Sequence, residues 1–94
     1  MRSIGQATDV RAEAARGFET MADTIMYRWT VERDTWVSTR EVEQARAYLE
    51  RAGVPTSVLD DGTFAVAGEP ADTLGAASLV LLGLKHLHAA RRSR

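Results

Sequence analysis

Residues 38–67 read STREVEQARAYLERAGVPTSVLDDGTFAVA, and this stretch decides the fold class. Ser38-Thr39-Arg40-Glu41 is a capping box. The Ser38 hydroxyl can accept from the Glu41 amide, and the Glu41 carboxylate can accept from the Ser38 amide. Val42, Ala45, Tyr48, Leu49 and Ala52 then fall on one helical face, with Glu43, Arg46 and Glu50 opposite. Gly53 supplies a left-handed residue at the helix end, and Pro55 blocks continuation. The spacing predicts a helix over 39–52. Val54 to Leu59 and Thr63 to Ala67 read as strands joined by Asp60-Asp61-Gly62, a hairpin turn in which both central residues can take positive φ. A helix followed directly by a hairpin points to the α+β class.

Toward the N-terminus, Ile25, Tyr27, Trp29 and Val31 alternate with Met26, Arg28 and Thr30, which predicts a strand over 24–31 and a turn at Glu32-Arg33-Asp34. Before it, Val10, Ala14, Phe18 and Met21 share a face, predicting a helix over 8–22 capped by Thr8 or Asp9. Toward the C-terminus, Pro70 at a first helical position and Asp72 in a first turn open a helix expected to run to about residue 90. The expected order is α-β-α-β-β-α within a single domain, 1–94. Residues 1–22 are an accessory helix. Residues 24–91 form a β-α-β-β-α core, a truncated ferredoxin-like arrangement with a small antiparallel or mixed three-stranded sheet packed on helices. In it the third strand lies between the first two. Tyr27-x-Trp29-x-Val31, then Leu49 to Gly53, then Val54 to Val66 resembles half-repeats of peptidoglycan-binding SPOR domains over residues 27–67. The pattern is generic to β-α-β-β modules, and a last helix this apolar does not suit that family, so no assignment follows.

The 94 residues are enough for one domain and carry no cysteine, which excludes disulfides, thiolate catalysis and cysteine-ligated metals. Arginine-rich, alanine-rich usage suits a GC-rich genome, such as an actinobacterium or its phage. The longest uncharged run, Thr73 to Leu84, is too short to span a membrane, which takes about 20 apolar residues. The expected location is the cytoplasm or a virion assembled there.

Chemistry-bearing residues are sparse. Asp60 and Asp61 sit at a hairpin tip, with no cleft to shield them. His86 and His88 are two apart in a helical pattern and point apart, so they do not share a metal. Ser38 and Ser78 lack a nucleophile-elbow context, and no glycine-rich phosphate loop occurs. No catalytic residue, cofactor or metal ligand is therefore assigned, and the chain is read as a non-enzyme.

Function is sought in the last helix. Leu74, Ala77, Leu81 and Leu84 form one apolar stripe, and Ala76, Leu79, Val80, Gly83 and Leu87 another. A helix apolar nearly all round must be covered nearly all round. The expectation is a protein–protein association or assembly module, a phage structural or host-directed protein or a bacterial adaptor, whose partner is another protein or a second copy and whose interface is Leu74, Ala76, Leu79, Val80, Gly83 and Leu87. Gly83→Leu should then block association while the monomer stays folded. The competing cover for this stripe is the N-terminal helix with Phe18 and Met21. One rival reading is nucleic-acid binding by Arg28, Arg33 and the basic tail Lys85, Arg91, Arg92 and Arg94; the last ten residues carry +4 against −5 for the rest. Another is a small-molecule sensor with its ligand in the sheet–helix crevice.

Overall fold

The computed structural model describes residues 2–71 and 75–92, with side chains from Val10 onward. It has three helices and a small three-stranded antiparallel sheet, an α+β fold: α1 (Arg2–Thr30), α2 (Thr39–Arg51), β1 (Thr56–Val58), β2 (Phe64–Val66), β3 (Glu69–Pro70) and α3 (Ala76–Arg92). Nothing marks it as ferredoxin-like.

The largest departure from expectation is at residues 24–31, which are not a strand. Residues 24–30 are the end of α1 and Val31 is in the turn that follows. Ala14, Phe18, Ala22 and Ile25 are all buried, and Trp29 packs against the same core. Their steps of three and four carry one helical stripe through Gly17 and past residue 22. Ile25 and Trp29 fit this stripe while Tyr27 and Val31 face out, and tertiary packing overrides the strand propensity of the segment. Thr8 and Asp9 consequently lie inside α1 rather than capping it.

α2 starts and stops where the residues dictate. Ser38 is extended, its hydroxyl accepts from the Glu41 amide at 3.1 Å, and the Glu41 carboxylate accepts from the Ser38 amide at 3.1 Å. At the other end Gly53 has φ +95°, its N–H donates to the Glu50 carbonyl at 3.1 Å, and the Val54 N–H donates to the Leu49 carbonyl at 2.8 Å. These two bonds make a Schellman motif, sealed by buried Val54 and Leu49.

The sheet is a meander of order β1-β2-β3. In the first hairpin only Gly62, not the aspartates, has positive φ (+87°), and Leu59 N–H donates to the Thr63 carbonyl at 2.8 Å. This is a type I turn with a glycine bulge rather than a mirror-image turn. The mirror-image turn comes next: Ala67 (φ +52°) and Gly68 (φ +83°) join β2 to β3 through the pair Val66↔Glu69. Residues 68–70, expected to open the last helix, instead complete this hairpin. An L-residue in the left-handed region costs about 1–2 kcal/mol, less for asparagine. Ala67→Asn, at an exposed site, is therefore expected to stabilise the chain by about 0.5–1 kcal/mol. That would raise the melting temperature by a few degrees. An unchanged or lower midpoint in a thermal scan would count against this turn.

Both sheet edges are blunted. Hydrogen bonds at Pro55–Ala67 and Leu59–Thr63 leave Thr56 and Val58 facing away from β2, and the Thr56 N–H is taken by the Glu50 carboxylate at 3.3 Å. On β3 the outward position is Pro70, which has no N–H.

The core draws on every layer: Phe18 and Ile25 from α1, Leu49 from α2, Phe64 and Val66 from β2, Val80 and Leu87 from α3. Alanines 14, 15, 22, 45 and 76 are buried between them and allow the helices to approach closely. α3 starts at Ala76, whose N–H donates to the Thr35 carbonyl of the α1–α2 loop at 3.0 Å. The expected first-turn Asp72 lies outside the described residues.

Candidate functional site

The stripe expected to form an interface is spent inside the chain. Ala76, Leu79, Val80, Gly83 and Leu87 are all buried, and Leu74 lies outside the described residues. The physical reason is α1, which runs beside α3 and seats the Phe18 ring in the notch left by Gly83; a Cβ there would overlap the ring. Of the second stripe, Ala77 and Leu84 are half-buried and only Leu81 is well exposed, at 55%.

Three of the six residues proposed for phosphates are paired with acids. Arg28 donates to Glu41 Oε2 at 2.8 Å, with both side chains about a quarter exposed. Lys85 pairs with Glu69 at 3.0 Å and Arg91 with Glu19 at 3.0 Å. Arg33 is exposed with φ +62° in the turn after α1, Arg92 is exposed, and Arg94 lies outside the described residues. Two of the four tail charges, Lys85 and Arg91, thus lie beside acids.

Glu69 also meets His86, Nε2 to Oε1 at 2.7 Å, so one carboxylate ties β3 to two side chains of α3. The Lys85 hydrogen bond and then that of His86 hold its carboxyl below the usual value of 4.5. A depressed carboxylate stabilises the fold above its unfolded value and loses that contribution as pH falls through the folded one. Stability is therefore expected to decline below about pH 4.5 in part through Glu69. Glu69→Gln should make that acid limb shallower in urea titrations run from pH 6 to pH 3; an identical limb would dismiss this tie. His88 is exposed on the same helix, and no group of three or more His, Asp or Glu among the described residues is placed to hold a metal.

Two features remain unexplained by packing. The first is the α1–α2 junction. Tyr27 and Val31, one turn apart, are 50% and 62% exposed, and Trp36 is 68% exposed. The loop carrying Trp36 is pinned along its length. Asp34 N–H donates to the Arg28 carbonyl at 2.9 Å, Trp36 N–H donates to Asp34 Oδ1 at 3.0 Å, and the Thr35 carbonyl accepts from Ala76. A fixed loop thus holds its one large side chain in water. The second is a cleft of about 430 Å³ between α1 and α2. Buried Ile25 and half-buried Met21 and Tyr48 form its floor, and exposed Thr20, Thr24 and Gln44 its rim. Glu41 lines it too and is bonded to Ser38, so the cleft and the Trp36 loop flank the same capping box. The crevice between sheet and last helix is smaller, about 260 Å³, and includes Pro70, Leu81 and Lys85. No helix among the described residues is long and apolar enough to cross a membrane.

The sequence reading missed both features because a strand over 24–31 sets Tyr27 and Val31 on the same face as Ile25 and Trp29. The available signal was the helical stripe through Ala22, Ile25 and Trp29, which turns Tyr27 and Val31 outward. No family model, curated protein or solved structure matches this chain.

Proposed function

We propose that this chain is a non-enzymatic protein-association module whose contact surface is the α1–α2 junction, with Trp36 as its anchor. The observation that carries this reading is an indole more than two-thirds exposed on a loop fixed by backbone and side-chain hydrogen bonds. Interface hot spots are enriched in tryptophan and tyrosine, and a side chain on a fixed backbone loses less freedom on binding than one on a mobile loop. Tyr27 and Val31 extend the apolar area beyond what a scattered surface residue would offer. The pairing of Arg28, Lys85 and Arg91 with carboxylates ranks nucleic acid behind a protein partner.

The test is a photo-crosslinking amino acid placed at position 36, with position 58 on the exposed hairpin as control. The expected result is adducts of defined mass from position 36 and few from position 58. Equal yields, or none at 36, would end this reading.

A further inference from the structure

We infer that Asp34 is the positioning residue of the Trp36 anchor, and that the peptide unit between Thr35 and Trp36 couples this anchor to the first turn of α3. This rests on the association reading above and adds what sets and regulates its site.

The observation that carries it is one peptide unit engaged at both of its polar groups. The Trp36 N–H donates to Asp34 Oδ1 at 3.0 Å, and the Thr35 carbonyl accepts from the Ala76 N–H at 3.0 Å. These two groups belong to the same planar unit and point from its opposite edges. Two bonds from opposite edges fix the orientation of the plane. The Trp36 Cα lies in that plane, so the point from which the indole leaves is fixed with it.

The two bonds depend on each other, because turning the plane away from one partner turns it away from the other. The Ala76 end matters to the fold. A helix opens with N–H groups that have no partner inside the helix, and Ala76 is 1% exposed, so water has little access to its amide. The Thr35 carbonyl is the acceptor this amide has. Coupling between two sites is reciprocal: a partner that holds Trp36 also shelters the start of α3, and loosening that start loosens the anchor.

The flanking residues are held by the other two helices. The Asp34 N–H donates to the Arg28 carbonyl of α1 at 2.9 Å, and the Ser38 N–H donates to Glu41 Oε1 of α2 at 3.1 Å. Trp36 therefore stands where three helices each hold a residue within two positions of it. Among these braces the Asp34 carboxylate is the one that bonds the Trp36 main chain from a side chain, two residues back, as aspartate does in turns. Asp34 is exposed, so shortening it opens no cavity. Without its oxygen the plane can turn over, and the indole leaves the loop in several directions rather than one. That freedom is then lost on binding.

The experiment is amide hydrogen exchange by NMR on the full chain, on Asp34→Ala and on Asp34→Asn, followed by the position-36 crosslink in all three backgrounds. Asparagine keeps an Oδ1 acceptor and alanine has none. In Asp34→Ala, exchange should quicken at both Trp36 and Ala76 by roughly fivefold or more, the scale of one hydrogen bond. Val54, whose N–H closes the far end of α2, should exchange at the wild-type rate and so report an intact fold. Crosslinking from position 36 should drop severalfold. Asp34→Asn should stay near the wild type in all of these. Unchanged exchange at Trp36 in Asp34→Ala, a faster Trp36 with an unchanged Ala76, or an asparagine variant as loose as the alanine one would each overturn the inference. Undiminished crosslinking from a loosened Asp34→Ala chain would overturn it too, and would leave the association reading standing. If the full chain crosslinks nothing from position 36, the association reading falls and takes the inference with it.

Discussion

Gly83→Ala is expected to destabilise the fold by about 2 kcal/mol, and Gly83→Leu by more than about 3 kcal/mol. In an exposed helix the alanine would gain about 1 kcal/mol from propensity. Here the new methyl group meets the Phe18 ring, which is 1% exposed and cannot swing out to solvent as a surface side chain would. Overpacking therefore outweighs propensity. For a chain of this size, 1 kcal/mol shifts the melting temperature by about 4–8 °C, so the alanine variant should melt at least several degrees lower. Gly17→Ala is the control. Its methyl group would overlap Tyr48, but that ring is only half-buried and can swing toward solvent, so the change should be near neutral. Phe18→Leu should cost less in the Gly83→Ala background than in the wild type. Strictly additive effects would mean that the ring does not sit in the glycine notch. This result also replaces the sequence-based expectation that Gly83→Leu would leave the monomer intact.

Glu41→Ala is expected to cost about 2–3 kcal/mol, more than the roughly 0.5–2 kcal/mol of Ser38→Ala. The serine variant loses the two bonds of its hydroxyl, from the Glu41 amide at 3.1 Å and to the Glu41 carboxylate at 3.2 Å. The glutamate variant loses the Ser38 amide contact, the Ser38 hydroxyl contact at 3.2 Å and the Arg28 ion pair at 2.8 Å. It also leaves the Arg28 guanidinium without its carboxylate, when the buried Nε already lacks a hydrogen-bond partner. The ion pair is partly exposed, so its own coupling should be modest, on the order of 0.5–1 kcal/mol. Urea unfolding of Ser38→Ala, Glu41→Ala, Arg28→Met and the Arg28/Glu41 double variant separates these parts. A Glu41→Ala midpoint no lower than that of Ser38→Ala would show that the tie between α1 and α2 adds nothing to the cap.

How far the sequence revealed this molecule depended on whether a signal was local. The α2 boundaries follow from Ser38, Glu41, Gly53 and Pro55, because caps are satisfied within a few residues. The Asp-Gly hairpin was legible for the same reason, although its turn type was not, since that depends on register. The strand expected at 24–31 failed because its residues satisfy two periods at once. Ile25, Tyr27, Trp29 and Val31 alternate, while Ala22, Ile25 and Trp29 continue a helical stripe, and only the packing of α1 against α2 and α3 selects between them. The α3 stripe had two candidate covers in the sequence, a partner or the N-terminal helix with Phe18 and Met21, and periodicity alone does not choose between them; the structure places the Phe18 ring on Gly83, and the stripe is core. Trp36 was invisible as an anchor because a loop has no period from which exposure can be read.

The blunted sheet has a consequence for crowding. Chains synthesised side by side at high local density face the hazard that a stranger's backbone will extend an open strand, and that growth has no natural end. Here Pro70 offers such a stranger no donor on one side, and Glu50 already occupies the Thr56 donor on the other. Copies that collide find fewer backbone donors to extend, and contacts between side chains, whose shape and sign can be specified residue by residue, gain weight against them. Pro70→Thr would supply the missing donor and, with it, a route to fibres.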